Sequence, residues 1–382
     1  MSETVPLFQI DWGRNEVQNV VDSVTRGGYW AKGPYVDKFE SFLADYHGVE
    51  HAVTFNSGTT ALVGALEGIG VEEGDEVIVP SFTFIATANA VRLAGGTPVF
   101  AEIEPERYGL DPTAVEEAIT ERTTAILPVH YGGVPCRIHE LREIADEHGL
   151  ELVEDAAEAQ GAKDEGEVVG SIGDAGVLSF CQNKIITTGE GGAVLTDDDA
   201  IAQTCELLRS HGRSSGDYFD SAEGGEYVRV GNNFRMSDIN AALGVGQMER
   251  ISDIIEKRRT VGARLVKSLT EIDGVNPPVE PSGTRHVYQL FTVRFDDHID
   301  RDKVIDSLTK SDVSCKVYFD PVHLSKVYRD AGWRHGDLPR TEAISSQVLS
   351  LSMFAEQTPE QSRQIVDAVR EAVGAQQANQ RI

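Results

Sequence analysis

Lys184 stands in the segment of this 382-residue chain whose residue types are best suited to chemistry. It follows the apolar run 175–180 and precedes the glycine-rich stretch 189–192. An α/β enzyme presents an amine to a carbonyl group at such a place. The amine becomes nucleophilic when burial or a nearby cation lowers its pKa, and it then forms a Schiff base. An isolated loop lysine is more often a solvated surface charge, so the rest of the chain must decide.

A second candidate is the polar run Ser57, Gly58 and Thr59, which follows one predicted strand and opens a predicted helix. Hydroxyls, free backbone N–H groups and a glycine that permits close approach together bind anions at a helix N-terminus, and phosphate is the natural occupant. The alternative is an ordinary helix cap, which serine and threonine form without any ligand.

Two further residues follow separate predicted strands. Asp155 ends one strand, where a carboxylate can keep the ring nitrogen of a pyridine cofactor protonated. Phe84 lies just past another strand and can stack on a flat ring. For each residue alone, an ordinary structural role is the alternative: Asp155 would cap the following helix, and Phe84 would pack in the core. Together with the amine and the anion site, they match the needs of pyridoxal 5′-phosphate (PLP).

The elements that position these residues alternate between short apolar runs and amphipathic stretches. This alternation predicts an α/β fold with a mostly parallel sheet covered on both faces, whose ligands bind beyond the carboxyl ends of the strands. We expect helices at 60–69, 112–119 and 138–148. The seven predicted strands are 51–55, 76–80, 97–103, 125–129, 150–154, 175–180 and 192–196.

The pattern changes after about residue 245. We predict a large domain over 1–245, with N-terminal helices at 14–26 and 35–46, and a smaller α+β domain over 246–382. A helical pattern runs from 239 to about 269, and the pair Pro277–Pro278 lies beyond it. The remaining expected elements are strands at 287–295 and 315–318 and helices at 302–310 and 359–373.

The net charge is −28, from 34 basic and 62 acidic residues, and only 10 of the basic residues are lysine. Such an acidic excess repels nucleic acid and anionic membranes, so we expect neither as a partner. Self-repulsion opposes folding unless salt screens it. The composition therefore suggests adaptation to a high-salt cytoplasm, with a merely acidic mesophilic enzyme as the alternative.

Cysteine usage and hydropathy suggest a cytoplasmic enzyme without a metal site. The four cysteines are widely spaced and form no CxxC pair, which argues against a zinc site and a disulfide framework. The N-terminus lacks a basic region followed by an apolar stretch, as a secretory signal would have. No run approaches the roughly 18–20 apolar residues that a membrane helix needs.

Across nearly its whole length the sequence closely resembles the DegT/DnrJ/EryC1/StrS family of PLP-dependent sugar aminotransferases. Many motifs match in the same order, which makes a chance likeness implausible. The matching stretches are Gly33-Pro34-Tyr35-Val36, Ser57-Gly58-Thr59, Pro80-Ser81-Phe82-Thr83-Phe84, Pro128-Val129-His130-Tyr131-Gly132, Glu154-Asp155-Ala156-Ala157, Lys184 with Thr187-Thr188-Gly189-Glu190-Gly191-Gly192, Gly231-Asn232-Asn233-Phe234-Arg235-Met236-Ser237-Asp238 and Pro321-Val322-His323.

The resemblance implies that Lys184 forms the Schiff base with PLP, that Asp155 pairs with the pyridine nitrogen and that Phe84 stacks on the ring. The phosphate would be held by small residues, namely Ser57, Gly58, Thr59 and Ser179. Family members are fold-type I homodimers with active sites at the interface, so Asn233 would reach the phosphate of the neighbouring subunit's cofactor. The segments that resemble the family's substrate-facing region contain Arg235, Tyr318 and His323, for which a purely structural role is equally open.

One variable position bears on the substrate. Three residues after Asp155, many family members carry Gln or His near the cofactor's 3′-oxygen, and this chain carries Glu158. Glutamate there resembles the branch that acts on 4-keto-6-deoxy sugar nucleotides, such as perosamine synthases. The resemblance thus implies a keto-sugar nucleotide as acceptor and L-glutamate as donor, with 2-oxoglutarate released.

Other chemistries on this scaffold have distinguishing features. Some relatives carry His in place of Lys184 and are sugar dehydratases, whereas this chain keeps the lysine. Regulators of the aminotransferase type carry an added DNA-binding segment, and no basic stretch of that kind precedes the core here. The nucleotide, the sugar, the choice between C3 and C4 amination and the assembly above a dimer stay open.

Overall fold

The computed structural model describes residues 4–214 and 225–380, which form alternating strands and helices followed by a second, smaller sheet. In chain order the strands are β1 His51–Phe55, β2 Glu76–Pro80, β3 Thr97–Ala101, β4 Thr123–Ile126, β5 Glu151–Asp155, β6 Lys163–Asp164, β7 Glu167–Val168, β8 Ala175–Ser179, β9 Gly192–Thr196, β10 Val275–Asn276, β11 Thr284–Arg285, β12 Phe291–Phe295, β13 Cys315–Lys316 and β14 Val348–Leu351.

The helices begin before the first strand and end the chain. They are α1 Arg14–Thr25, α2 Pro34–His47, α3 Gly58–Gly68, α4 Ala86–Leu93, α5 Pro112–Ala118, α6 Ile138–His148, α7 Asp199–Arg209, α8 Asp238–Met248, α9 Ile251–Leu269, α10 Arg301–Lys310, α11 Lys326–Asp330, α12 Pro339–Gln347 and α13 Pro359–Gln380. Short 3₁₀ turns cover Tyr131–Gly133 and Val322–Leu324.

The main sheet has seven strands in the order β1-β9-β8-β5-β4-β2-β3. Its pairs from β3 to β8 are parallel, and β9 runs antiparallel to both β8 and β1. Strands β2, β8 and β9 are buried at every position, as expected for strands covered on both faces. This arrangement confirms the predicted α/β fold with a mostly parallel seven-stranded sheet.

The second sheet has the order β10-β12-β14-β13, and helices α9, α10 and α13 pack with it around a separate apolar core. Val5 belongs to that core, and its backbone bonds with Asp312 and Ser314. The N-terminal residues therefore cross to the C-terminal part of the chain. The division into domains at residue 245 stays a prediction.

Several predicted elements differ from the structure in their bounds, and long-range contacts explain two of these differences. The helical pattern at 239–269 forms two helices, since Arg250 leaves helical geometry (φ −120°, ψ 3°) between α8 and α9. The guanidinium of Arg250 instead binds Asp11 and Glu16. The predicted strand at 287–295 begins only at residue 291, because the backbone N–H groups of Val287 and Leu290 donate to the loop at 132–133.

None of the helices within residues 4–214 and 225–380 is both long and apolar enough to cross a membrane.

Candidate active site

The anion-binding run lies where β1 and β8 end beside the beginning of β9. Ser57 caps α3, and its hydroxyl accepts a hydrogen bond from the backbone of Thr60 at 3.2 Å. A Cβ on Gly58 would lie 2.8 Å from Cβ of Ser179, and one on Gly192 would lie 2.5 Å from the Ser57 carbonyl oxygen. Only glycine therefore lets these backbones approach so closely. Thr59 follows in the first turn of α3, which places the four predicted phosphate residues together.

Lys184 is reached through a short loop after β8, and its side chain is only 14% exposed. Its Nζ lies 3.4 Å from Oε1 of Glu158, whose side chain is also buried. The other carboxylate oxygen of Glu158 accepts the backbone N–H of Gly132 at 3.0 Å. Gly132 adopts φ 62°, a conformation that favours glycine. The loop after β4 thus holds the carboxylate that faces the amine.

Asp155 ends β5 and is 4% exposed. Its carboxylate accepts the hydroxyl of Thr87 at 2.8 Å and the backbone N–H of Ala157 at 3.2 Å. Burial raises the pKa of Asp155, while these two hydrogen bonds and the nearby Lys184 lower it. Because burial prevails, the carboxylate lacks part of the stabilisation that its charge requires. A cation placed against it would supply that stabilisation.

Two aromatic residues border the same region. Phe84 is 56% exposed, and its ring centroid lies 5.9 Å from that of Phe319. Burial raises the pKa of the neighbouring Tyr318, Glu158 raises it further and a hydrogen bond with Asn183 lowers it. Tyr318 therefore stays protonated at neutral pH and lies close to the carboxylate that faces the amine. Its backbone carbonyl accepts the hydroxyl of Tyr131.

The structure places Asn233 and Arg235 differently from the residues above. Asn233 is exposed, and its carbonyl accepts the side-chain amide of Asn56 at 3.4 Å, next to the anion-binding run. Arg235 donates to the hydroxyl of Ser210 at 3.1 Å. It lines a separate cavity of about 400 Å³, and Lys184 is not among the described residues that line this cavity.

His323 is fully buried and does not face the site. Its ring nitrogens are engaged by Ser81 at 2.6 Å and Glu342 at 3.1 Å. Phe100 and Trp333 lie against the ring. This geometry does not support the sequence-based assignment of His323 to substrate contact, because neither ring nitrogen is available to a ligand.

Sequence reasoning missed two supporting residues. Thr87 holds Asp155 and also bonds with the hydroxyl of Thr83 at 2.9 Å. Two threonines four residues apart, one on each side of Phe84, are the weak signal that the sequence offered for this contact. Gln289 donates to the carbonyl of Asn183 at 2.6 Å and supports the lysine loop. No sequence pattern pointed to Gln289, which comes from a distant part of the chain.

The residues present fit PLP. Close-packed glycine backbone and hydroxyls suit a phosphate, and the under-stabilised carboxylate of Asp155 suits a protonated ring nitrogen. Lys184 supplies an amine close enough to Asp155 to lower its pKa, and Phe84 offers an exposed ring face. Within residues 4–214 and 225–380, no group of acidic, histidine and cysteine side chains is arranged to hold a metal ion.

Comparison with known proteins agrees with this geometry. The sequence profile of the DegT/DnrJ/EryC1/StrS aminotransferase family matches residues 12–370. The chain is 39% identical to GDP-perosamine synthase from Caulobacter vibrioides, with 89% of this chain and 91% of that protein covered. It is 38% identical to dTDP-3-amino-3,4,6-trideoxy-alpha-D-glucose transaminase from Streptomyces venezuelae, with 94% and 92% covered.

Solved structures show the same likeness in three dimensions. The crystal structure of DesV from Streptomyces venezuelae superposes with a TM-score of 0.88 at 35% sequence identity. The match covers 97% of this chain and 98% of that one.

Proposed function

The chain belongs to the DegT/DnrJ/EryC1/StrS aminotransferase family, and from that premise we propose that it aminates a keto-sugar nucleotide with L-glutamate as donor. The family consists of PLP-dependent sugar aminotransferases, and this chain is an enzyme of that kind. The observation that carries the proposal is the buried Lys184 amine, 3.4 Å from the Glu158 carboxylate. It lies in a site that also holds the buried Asp155.

In the proposed roles, PLP when bound supplies an electron-withdrawing ring that stabilises the charge left when a proton leaves carbon. Asp155 would keep the ring nitrogen protonated, and Ser57, Gly58, Thr59 and Ser179 would hold the phosphate. Lys184 would bind the cofactor's carbonyl carbon. Once an incoming amine displaces it, its free amine would move a proton as general base and then as general acid.

The substrates follow from two half-reactions on one site. L-Glutamate gives up its amino group and leaves as 2-oxoglutarate, and the sugar's ketone receives that group and becomes an amine. Glu158 at the variable position supports a 4-keto-6-deoxyhexose nucleotide as the acceptor. The relatives' names include a 3-amino sugar transaminase, so the test must include 3-keto substrates as well.

We also propose that the enzyme is a cytoplasmic homodimer with shared active sites. The exposed Asn233 lies beside its own anion-binding run, at an edge that a second subunit could meet. In this proposal Asn233 would reach the neighbouring subunit's phosphate, and Arg235 and Tyr318 would contact the sugar nucleotide. Light scattering of the purified protein would test the dimer directly.

The first experiment is an absorbance spectrum of the PLP-loaded protein in concentrated KCl before and after L-glutamate is added. We expect the visible band of the bound cofactor to shift toward that of the aminated cofactor. Keto-sugar nucleotides of the 4-keto and 3-keto classes are then added in turn, and the true substrate restores the original band. PLP binding without any shift for any amino donor would contradict the proposal.

Replacement of Lys184 by Ala should lower the rate of both half-reactions by about 10²–10⁴-fold, because the proton transfers lose their base. The matched control is Lys267→Ala, because Lys267 is exposed on α9. K267A should keep the wild-type rate. Stopped-flow absorbance measures both variants. A K184A protein that turned over as fast as K267A would end this account.

A further inference from the structure

A hydrogen-bonded chain of three side chains, of which Ser81 and His323 are fully buried, runs from the main sheet to α12. Ser81 directly follows β2, and its hydroxyl lies 2.6 Å from Nδ1 of His323. The same hydroxyl accepts the backbone N–H of His323 at 3.0 Å. The Ser81 carbonyl accepts the backbone N–H of Val322 at 2.8 Å. Nε2 of His323 lies 3.1 Å from Oε1 of Glu342.

The donors in this chain can be assigned from the geometry. The Ser81 hydroxyl oxygen already accepts the backbone N–H of His323, so its own hydrogen is available for Nδ1 of the ring. Nε2 then carries the ring's proton and donates to Glu342. Glu342 also accepts the backbone N–H of Gly336 at 2.8 Å. Burial raises the pKa of Glu342, but that bond, His323 and His335 together hold it below its ordinary value, so the carboxylate remains an acceptor.

Ser81 and His323 both belong to segments that lead into the candidate active site. Three residues after Ser81 comes Phe84, and α4 follows with Thr87 in its first turn, whose hydroxyl holds Asp155. The segment that precedes His323 carries Tyr318 and Phe319. The ring centroid of Phe319 lies 5.9 Å from that of Phe84. The contact between Ser81 and His323 therefore sets the position of the Phe84 loop relative to the Tyr318 segment.

We propose that His323 is a positioning residue, which holds the loop carrying Phe84 against the segment carrying Tyr318 through its bond with Ser81. It shapes the face on which the cofactor ring and the sugar lie, without touching either. The inference rests on the proposed roles of Phe84 and Tyr318 in the aminotransferase site. A histidine that only stabilised the fold would leave cofactor binding by the folded protein unchanged.

The test compares substitutions that remove the bonds at Nδ1 and Nε2 of His323 together or separately. Ser81→Ala and His323→Leu both break the contact at Nδ1, and S81A removes a single hydroxyl should H323L fail to fold. His323→Asn keeps an acceptor at the same distance from Cα as Nδ1, and His323→Gln keeps a donor near Nε2. His335 binds the other oxygen of Glu342 but is 85% exposed, so H335Q is the matched control.

PLP titration of the apo variants gives a cofactor dissociation constant, and circular dichroism of the visible band reports how the bound ring is held. We expect S81A, H323L and H323Q to raise the dissociation constant about tenfold, which equals about 1.4 kcal/mol. The same variants should weaken the visible dichroism and raise KM for the sugar nucleotide more than they lower kcat. H323N should restore most of these properties, and H335Q should match the wild type.

Two outcomes would overturn the proposal. In the first, folded S81A and H323L keep a dissociation constant within about twofold of the wild type, with unchanged dichroism. In the second, H323Q rescues the defect and H323N does not, which would assign the effect to Glu342. The cofactor measurements need no sugar nucleotide. A failure of the proposed substrate class would therefore leave this result interpretable.

Discussion

Glu154 and Asp155 are neighbours at the end of β5, and both are buried carboxylates, yet their surroundings differ sharply. Successive residues of a strand point to opposite faces of the sheet. Glu154 therefore meets one set of elements and Asp155 another. The two side chains offer a direct comparison between an acid that supports the fold and an acid that serves a site.

Glu154 is surrounded by donors. Its oxygens accept Nε2 of His130 at 2.9 Å and the backbone N–H groups of Gly170, Ile172 and Gly173 at 2.7–2.8 Å. His130 accepts the backbone N–H of another residue at Nδ1, so its Nε2 is the donor. Burial alone would raise the pKa of Glu154, but these donors lower it below the ordinary value. The charge is therefore satisfied within the protein.

Asp155 has less support. Thr87 and Ala157 each donate one bond, and burial still raises its pKa. Buried charge with incomplete pairing costs folding free energy, and such groups concentrate at functional sites. The contrast supports a structural role for Glu154 at the end of β5 and accords with the proposed role of Asp155 beside a cationic group.

Between these two acids, the larger expected effect comes from Asp155→Asn, which removes the charge while keeping the side chain's size. We expect kcat/KM to fall by about 10²–10³-fold, because the electrostatic partner of the ring nitrogen is lost. The free energy of unfolding of the apo protein should stay equal or rise. Steady-state kinetics measure kcat/KM, and urea unfolding measures the free energy of unfolding. A D155N protein with wild-type activity would contradict the proposed role of Asp155.

The reciprocal change is Glu154→Gln. It exchanges one oxygen acceptor for an amide donor that faces backbone N–H groups, so the free energy of unfolding should fall by about 1–3 kcal/mol. Activity per folded molecule should change little. Glu147 is exposed on α6, and E147Q should have no effect on either quantity. If E154Q instead abolished turnover in a fully folded protein, the two acids would share one function.

The two acids should also give pH dependences of opposite sign. The lowered pKa of Glu154 contributes stability above about pH 4.3, and this contribution is lost as pH falls through the folded-state pKa. The gap in unfolding free energy between wild type and E154Q should therefore close in acid. The raised pKa of Asp155 costs stability above its folded-state value. Any gain from D155N should therefore shrink as pH falls toward about 3.9. Urea unfolding across this range tests both signs.

The response to salt distinguishes buried acids from surface acids. For each acidic side chain, the expected effect of salt on stability is the smallest of these effects. Exposed charges in a chain of net charge −28 repel one another, and salt screens that repulsion. The wild-type melting temperature should rise by several degrees between about 0.1 M and 2 M KCl. The E154Q penalty should persist throughout, because its donors are buried. A melting temperature that did not rise would exclude adaptation to high salt.

Local pattern predicted the secondary structure of the main sheet closely. Strands β1, β2 and β9 have the predicted bounds, because short apolar runs flanked by turn residues leave little choice of element. The pattern failed where residues distant in sequence intervened. Acidic side chains near the N-terminus bind Arg250 at the break between α8 and α9, and the loop at 132–133 takes the N–H groups at 287–290.

The candidate site was only partly predictable for the same reason. The strand ends that carry Asp155 and Lys184 could be read from the chain, and the structure brings these two residues together near Glu158. The burial of His323 between Ser81 and Glu342 could not be read, because its partners lie 242 and 19 residues away.

The sequence by itself thus determined the strands of the main sheet and which polar residues end them, since these depend on local periodicity and turn chemistry. Only the tertiary structure decided the environment of each side chain. Glu154 and Asp155 are adjacent carboxylates, and the sequence set Asp155 apart only by its place at the end of a strand and by the family resemblance. Their pKa values are shifted in opposite directions because the pleat of β5 directs them toward different neighbours. Those neighbours come from distant parts of the chain and meet only in the folded protein.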